Sequence, residues 1–135
     1  MTLTEVVVAL FVTTLAILGI VQGYHYATNS AERAALYQAA NARAMERVEE
    51  TRSARWDLAA PTQVDQVVNS NFPPKSVVMD LSGSGAVATM ATLFTEITQV
   101  SSNPPLKRVR VDCVWTNRGV QIITNSVETL RAPDQ

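Results

Sequence analysis

Between residues 1 and 31 the chain carries a single formally charged side chain, that of Glu5. Residues 6–21, VVVALFVTTLAILGIV, are free of charge, and Thr13 and Thr14 supply their only polar side chains. With the residues before it, this stretch provides about 21 residues, or roughly 30 Å of α-helix, which matches the apolar thickness of a bilayer. The segment therefore predicts a helix that spans a membrane or is buried among other apolar helices.

The flanks of this apolar stretch bear on how it is used. Tyr24 and Tyr26 follow it, and aromatic residues favour a membrane–water interface. No Lys or Arg precedes Arg33, and the run continues into a helix-forming stretch, which argues against a cleavable signal peptide. An ordinary membrane anchor also has a basic flank. One explanation for its absence is a basic leader that preceded Met1 and was removed.

Glu5 is the most informative residue of the segment. A carboxylate within an apolar span costs several kcal/mol unless it is paired. In a staggered array of parallel helices, the α-amino group of one chain can meet Glu5 of another. Alternatively, Glu5 lies in the lipid headgroup region and stays hydrated. The chemistry of the residue alone leaves both alternatives open.

Residues 28–56 have the composition of a helix that continues the apolar one to about Trp56. Alanine is abundant, and neither Gly nor Pro occurs between residue 28 and Pro61. Oppositely charged residues three apart predict weak ion pairs on a hydrated face: Arg43–Glu46, Arg47–Glu50 and Glu49–Arg52. Another face carries a stripe expected to pack on a sheet: Tyr37, Ala40, Ala44, Val48 and, nearby, Met45.

After Pro61 the pattern changes to short β-strands separated by turns. The clearest strand is 107–115, in which Val109, Val111, Cys113 and Trp115 alternate and so share one face. The other expected strands are 76–81, 88–100 and 120–130. Turns or loops are expected at 69–74, at the flexible Ser-Gly stretch 82–85, at 101–105 and at a tight hairpin over 117–119.

These patterns together predict an α+β fold. A long N-terminal α-helix, apolar in its first half, packs by its second half against a small antiparallel sheet of three or four strands. The expected divisions are an apolar helix half at 1–27, an amphipathic helix half at 28–57 and a β head at 58–135. Residues 28–135 are expected to form one globular unit.

Few residues suggest chemistry, and we expect no enzyme activity, cofactor or metal site. Cys113 is the only cysteine, so no intrachain disulfide forms, and its place in a strand favours a buried thiol. His25, the only histidine, has no nucleophile or acid arranged around it in a motif. With 11 basic and 12 acidic residues, the net charge of −1 gives no general reason to bind nucleic acid. A local basic group is expected to be a hydrated strand face: Lys107, Arg108, Arg110 and, nearby, Arg118.

The first ten residues, MTLTEVVVAL, resemble the mature N-terminus of type IV pilins and type II secretion pseudopilins. That pattern has an apolar first residue, then Thr-Leu, and a Glu at the fifth position within an unbroken apolar helix. Thr2, Leu3 and Glu5 match it. Met1 stands where phenylalanine is usual, and Thr4 replaces a usual aliphatic residue. The rest of the chain resembles this family in broad plan only, nearest to its minor pilins.

The resemblance implies that prepilin peptidase cleaves a leader before Met1, that the new amine is methylated, and that Glu5 neutralises a neighbour's amine during assembly. It implies an inner-membrane precursor, assembly machinery, and an extracellular or periplasmic filament of this chain or of pilin-like co-subunits. Gly19 and Gly23, spaced by four, allow close packing of membrane helices. In filaments of the family this part of the helix often unwinds, so we favour local melting there.

Two functions of different class follow. The first is a structural subunit of a pilus-like filament, or fimbrium, whose apolar helices bury one another in the filament core. The second is a monomeric, single-pass binding module in the periplasm or outside the cell, whose sheet recognises a partner through a face that includes Lys107, Arg108, Arg110 and Arg118. A role in adhesion, motility, DNA uptake or protein secretion does not follow from the sequence.

Overall fold

The computed structural model describes residues 2–59, 61–79, 88–117 and 121–134. Its elements, in chain order, are helix α1 (Leu3–Ser53), strands β1 (Trp56–Asp57) and β2 (Val64–Asp65), a 3₁₀ turn (Asn69–Asn71), and strands β3 (Lys75–Val78), β4 (Met90–Ser102), β5 (Pro105–Asn117) and β6 (Gln121–Arg131). The chain divides into two compact units, Met1–Ala35 and Leu36–Gln135. The α+β class and the long N-terminal helix expected from the sequence are confirmed.

In the first unit, residues 3–35 are helical and every described side chain is exposed. The helix is long and apolar enough to cross a membrane. The hydroxyls of Thr13 and Thr14 donate to the carbonyls of Ala9 and Leu10, at 2.7 and 2.8 Å. Because these hydroxyls are satisfied by the helix itself, they are compatible with an apolar environment.

In the second unit, β3, β4, β5 and β6 form an antiparallel sheet in that order. The pairing of β4 with β5 shifts between Gln99 and Ser101, whereas β5 and β6 pair without a shift from Lys107–Arg131 to Asn117–Gln121. The alternate residues of β5 that were predicted to share a face are all buried: Val109, Val111, Cys113 and Trp115. This face carries the core, and the side chains of the opposite face are half-buried to exposed.

The last turns of α1, within the second unit, contribute Ala40, Ala44 and Val48 to the core, as the predicted stripe requires. Met45 is 44% exposed, so its assignment to the stripe was wrong. Tyr37 is 48% exposed, but its ring packs edge-on against Trp115, with centroids 5.4 Å apart.

The buried helix face also includes Arg47 and Thr51, two polar residues that were not part of the predicted stripe. They follow Ala44 and Val48 by three residues and so lie on the same helix face. The Thr51 hydroxyl donates to the Val48 carbonyl of its own helix at 2.7 Å, so it is satisfied without solvent.

Two features of the second unit were not predicted. Trp56 and Asp57 pair with Asp65 and Val64 in a separate two-stranded antiparallel sheet. The expected loop at 69–74 contains the 3₁₀ turn. The expected strands are present with shifted ends: β3 stops at Val78, and β4 and β5 extend into the expected turn at 101–105. Of the hairpin predicted at 117–119, Asn117 is the last residue of β5. Residues 118–119 and the turn predicted at 82–85 lie outside the described residues.

Candidate functional site

The N-terminus of α1 holds the residues predicted to act in assembly. The Oε2 atom of Glu5 accepts a hydrogen bond from the backbone N–H of Thr2 at 2.8 Å. In return, the N–H of Glu5 approaches Thr2 Oγ1 at 3.4 Å and donates to the Thr2 carbonyl at 3.1 Å. Thr2 is therefore the N-cap, and the two side chains form a reciprocal capping box. Met1, the third predicted residue, lies outside the described residues.

The capping box was missed in reading the sequence, although the signal was present. Thr followed three residues later by Glu, before an apolar run, is the usual sequence signature of such a helix start. It gives Glu5 a role in the single chain, because it satisfies a helix N–H and its negative charge lies at the positive end of the helix dipole. Pairing with a neighbour's amine remains a separate prediction.

Gly19 and Gly23 lie in helical backbone. A Cβ atom built on either glycine meets nothing within 4 Å. Packing inside the single chain therefore gives no reason for glycine at these two positions. Their predicted melting concerns the assembled form, and it stays a prediction.

The surface that follows Glu5 is made of large apolar side chains exposed to the outside of the chain. Leu10, Phe11 and Ile20 are 63%, 64% and 71% exposed. Scattered exposed apolar residues are ordinary, but a contiguous apolar surface indicates a membrane or a protein interface. The others of this surface between Leu3 and Val21 are Val6, Val7, Val8, Val12, Leu15, Ile17 and Leu18.

In the second unit, a buried arginine joins a network of charged side chains that reaches the surface at Glu50 and Lys75. Arg47 is 7% exposed and donates to Thr95 Oγ1 at 3.2 Å, to the Pro73 carbonyl at 2.7 Å and to Glu50. Lys75 donates to the same Glu50, and this bond, together with Arg47, holds the pKa of the Glu50 carboxyl below its ordinary value against partial desolvation. The predicted ion pair is present, but its hydrated setting was wrong for Arg47.

Lys107 is also buried, at 6% exposure. Its ammonium group pairs with Asp65, donates to the Val67 carbonyl at 2.7 Å and lies 4.8 Å from the centre of the Trp56 ring. The site ties β2 and the segment after it to β5. The expectation that Lys107 belongs to a hydrated basic face was therefore wrong, because alternation places it on the core side of the strand.

Arg108 and Arg110 remain on the exposed face, and both have acidic neighbours. Arg108 pairs with Glu128 at 3.5 Å and Arg110 with Asp112 at 2.9 Å. Burial raises the pKa of Asp112, but hydrogen bonds from Ser126 and Arg110 outweigh it and leave that pKa lowered. The positive charge of each of these arginines is thus offset by a carboxylate of the same sheet. Arg118 lies outside the described residues.

Arg131 caps the C-terminal end of α1, a role that no sequence pattern had indicated. Its guanidinium donates to the carbonyls of Thr51 and Ala54, two acceptors that the last turn of a helix leaves without partners. It also pairs with Asp134 at 3.0 Å. The Trp56 N–H donates to Asp134 at 2.8 Å and, with Arg131, lowers the pKa of that carboxyl.

Cys113 and His25 are the other two groups that the sequence analysis considered for chemistry. Cys113 is buried, as predicted, and burial raises the pKa of its thiol, which disfavours the reactive thiolate. The ring of His25 contacts Tyr24 edge-on, with centroids 6.4 Å apart. Among the described residues, no cluster of three or more His, Cys, Asp and Glu is placed to hold a metal ion.

Comparisons of the chain with protein-family models, with curated proteins and with solved structures found no match. Any inference about function therefore rests on the residues and on the geometry of the two units.

Proposed function

We propose that the chain is a structural subunit of a pilus-like helical filament, assembled through its apolar N-terminal helix. The observation that carries the proposal is the exposed and largely apolar surface of residues 2–35. All the side chains that the structure describes there are exposed, and between residues 6 and 21 all but those of Thr13 and Thr14 are apolar. A surface of this kind is stable only in lipid or against other apolar surfaces.

Assembly exchanges one apolar environment for another. Before assembly the helix lies in a membrane, the inner membrane if the resemblance to pilins holds. In the filament, the helices of neighbouring subunits replace lipid, and the heads face the outside of the cell or the periplasm. Removing an apolar side chain from water contributes about 25 cal/mol per Å². Exposure of the twelve large apolar side chains from Leu3 to Val21 to water would therefore be far too costly for a free, soluble subunit.

Glu5 supplies the register of this assembly. In the single chain its carboxylate bonds the N–H of Thr2, at the end of the helix. Moved into a bundle of apolar helices, the carboxylate needs an opposite charge, because an unpaired buried charge costs several kcal/mol. The α-amino group of a neighbouring subunit meets this need at one stagger only. The resemblance adds leader cleavage by prepilin peptidase and methylation of that amine.

The test separates the charge of Glu5 from its capping role. Glu5→Gln keeps a capping-box residue but removes the charge, because Gln fills the same position of the motif. Thr2→Val removes the cap but keeps the charge. The full-length precursor, expressed with its assembly machinery, is then assayed for membrane insertion and for sedimentable filaments.

We expect Glu5→Gln and Glu5→Ala to insert in the membrane and to lose most filament formation, while Thr2→Val assembles nearly normally. Normal filament yield from Glu5→Gln with loss in Thr2→Val would show that capping, not charge pairing, is what matters. A wild-type protein that inserts but never polymerises would support a membrane-anchored binding module instead.

A further inference from the structure

The two edges of the four-stranded sheet differ in how they are protected against further pairing. The β3 edge has four residues, follows Pro73 and Pro74, and begins with Lys75. Short length, proline and lysine are the usual means of blocking an edge strand. The β6 edge has eleven residues and contains no Pro, Gly or Lys. Within the described part of the chain, β6 pairs only with β5.

The side chains of β6 also leave apolar groups exposed on the outer face of the sheet. Ile122 is 72% exposed and Leu130 is 61% exposed. They lie near opposite ends of the strand, at equal distances from Ser126, and on the same face as it. An exposed, long and partly apolar edge is a surface for strand addition.

We propose that β6 pairs with β6 of a second copy of this chain, antiparallel and about a two-fold axis at Ser126. In this register Ile122 of each copy lies opposite Leu130 of the other, so both exposed apolar side chains find apolar partners. Thr124 lies opposite Glu128. Each residue faces one of the same parity, which keeps the two outer faces and the outward-pointing backbone groups matched.

The charges of the strand agree with this register. Glu128, the only acid in β6, faces a threonine, and it is already paired with Arg108 at 3.5 Å on its own sheet. Arg131, the only base, faces Gln121 and is turned into its own core. No like charges meet, and like charges directly opposite would destabilise the pair.

The neighbouring registers that keep the faces matched fit less well. A shift of two residues in one direction sets Ile122 against Glu128. The same shift in the other direction sets Leu130 against Thr124 and leaves Ile122 without a partner in β6. The register centred on Ser126 is thus the one in which Ile122 and Leu130 face each other in both halves of the pair.

The symmetry of this pairing restricts where it forms. The two-fold axis is perpendicular to the joined eight-stranded sheet, so any direction lying in the sheet plane is reversed between the copies. The segment of α1 that lies over the sheet, Ala40 to Thr51, therefore runs in opposite directions in the two heads. Neighbours with parallel helices in one filament cannot pair in this way. If the proposed function is correct, the contact joins heads that belong to different filaments.

Cysteine cross-linking of the full chain in detergent micelles tests the register without requiring filaments. Ser126→Cys places the two thiols directly opposite each other, at a Cβ separation of about 4.5–5.5 Å. In the matched control Thr124→Cys, the thiols are four residues out of register, about 13 Å apart along the strand. The native Cys113 is buried and present in every variant.

Under mild oxidation we expect a disulfide-linked dimer from Ser126→Cys and only the wild-type background from Thr124→Cys. A mixture of Thr124→Cys and Glu128→Cys should form the mixed dimer, because these positions face each other. Adding Ile122→Lys to Ser126→Cys should abolish most of the cross-link.

Equal dimer from Ser126→Cys and Thr124→Cys would show random collision and would overturn the proposal, as would the absence of dimer from every variant. Either result leaves the filament proposal standing, since that proposal depends on Glu5 and on the apolar helix. Conversely, failure of Glu5→Gln to affect assembly does not alter the cross-linking result.

Discussion

The two units of this chain place the same kinds of side chain in opposite environments. In Met1–Ala35, Leu10 and Phe11 are more than 60% exposed, whereas in Leu36–Gln135 Val48, Leu93 and Val111 are 2% exposed or less. Hydrophobic residues are thus abundant in both units, but only the second unit buries them within its own chain. The comparison shows that apolar content does not define a core. A core also requires strands and helices that return over one another.

Deletion of residues 1–28 has the largest expected effect. The shortened chain should be soluble, monomeric and folded, because the buried apolar residues of the structure all lie at Ala40 or beyond. Membrane association and filament formation should be lost completely. Cooperative urea unfolding, followed by the fluorescence of Trp56 and Trp115, and sedimentation measure the two effects.

The full chain in detergent is the control for this deletion. An unfolded shortened chain would show that the head needs the apolar helix in order to fold. A shortened chain that still forms filaments would show that contacts between heads hold the polymer together.

A matched pair of leucine substitutions gives the next largest effect. Leu93→Ala should lower the free energy of unfolding of the head by about 2–5 kcal/mol, because the side chain is buried and its removal leaves a cavity. Leu10→Ala should change it by less than about 0.5 kcal/mol, since Leu10 belongs to the first unit and its side chain is 63% exposed.

Urea unfolding of the full chain in detergent measures both variants. Equal effects of Leu10→Ala and Leu93→Ala on the unfolding of the head would remove the distinction between the units. For filament assembly the order should be reversed, with Leu10→Ala the more harmful of the two at temperatures where both heads are folded.

Lowering the pH should destabilise the second unit and leave the helix content of the first unit unchanged. This effect should be smaller than those of the deletion and of Leu93→Ala. The pKa of Glu50 is lowered by its hydrogen bond from Lys75 and by Arg47, so the ionised carboxyl stabilises the folded head. This contribution is present above the ordinary pKa of 4.5 and is lost as the pH falls through the lowered value. Glu50→Gln should therefore be less stable than wild type at pH 7, and the two should converge toward pH 3.

The same titration followed by circular dichroism should leave the helix content of the first unit unchanged in detergent. A constant difference between Glu50→Gln and wild type from pH 7 to pH 3 would contradict the assigned role of the Lys75 and Arg47 bonds. The Asp134 carboxyl, with its pKa also lowered, contributes to acid sensitivity in the same direction.

The sequence by itself determined the features that depend on neighbours along the chain. The charge-free stretch around Leu10 predicts the apolar helix, because helix length and side-chain polarity are local properties. Alternation in β5 predicts the buried face of Val111 and Cys113, and spacing by three predicts the pair Arg47–Glu50. The capping box of Thr2 and Glu5 was equally readable, because its partners are three residues apart.

Only the tertiary structure decided which charged groups are buried. Arg47 and Lys107 resemble surface residues in the sequence, yet each lies in the core because distant segments supply its acceptors. The carboxylate of Asp65 is 42 residues from Lys107, and the Pro73 carbonyl is 26 residues from Arg47. A buried cation is tolerated only where such partners converge. Alternation places Lys107 on the core side of β5, but the convergence of its acceptors and of those of Arg47 depends on how the chain returns over the sheet, which no local pattern of residues contains.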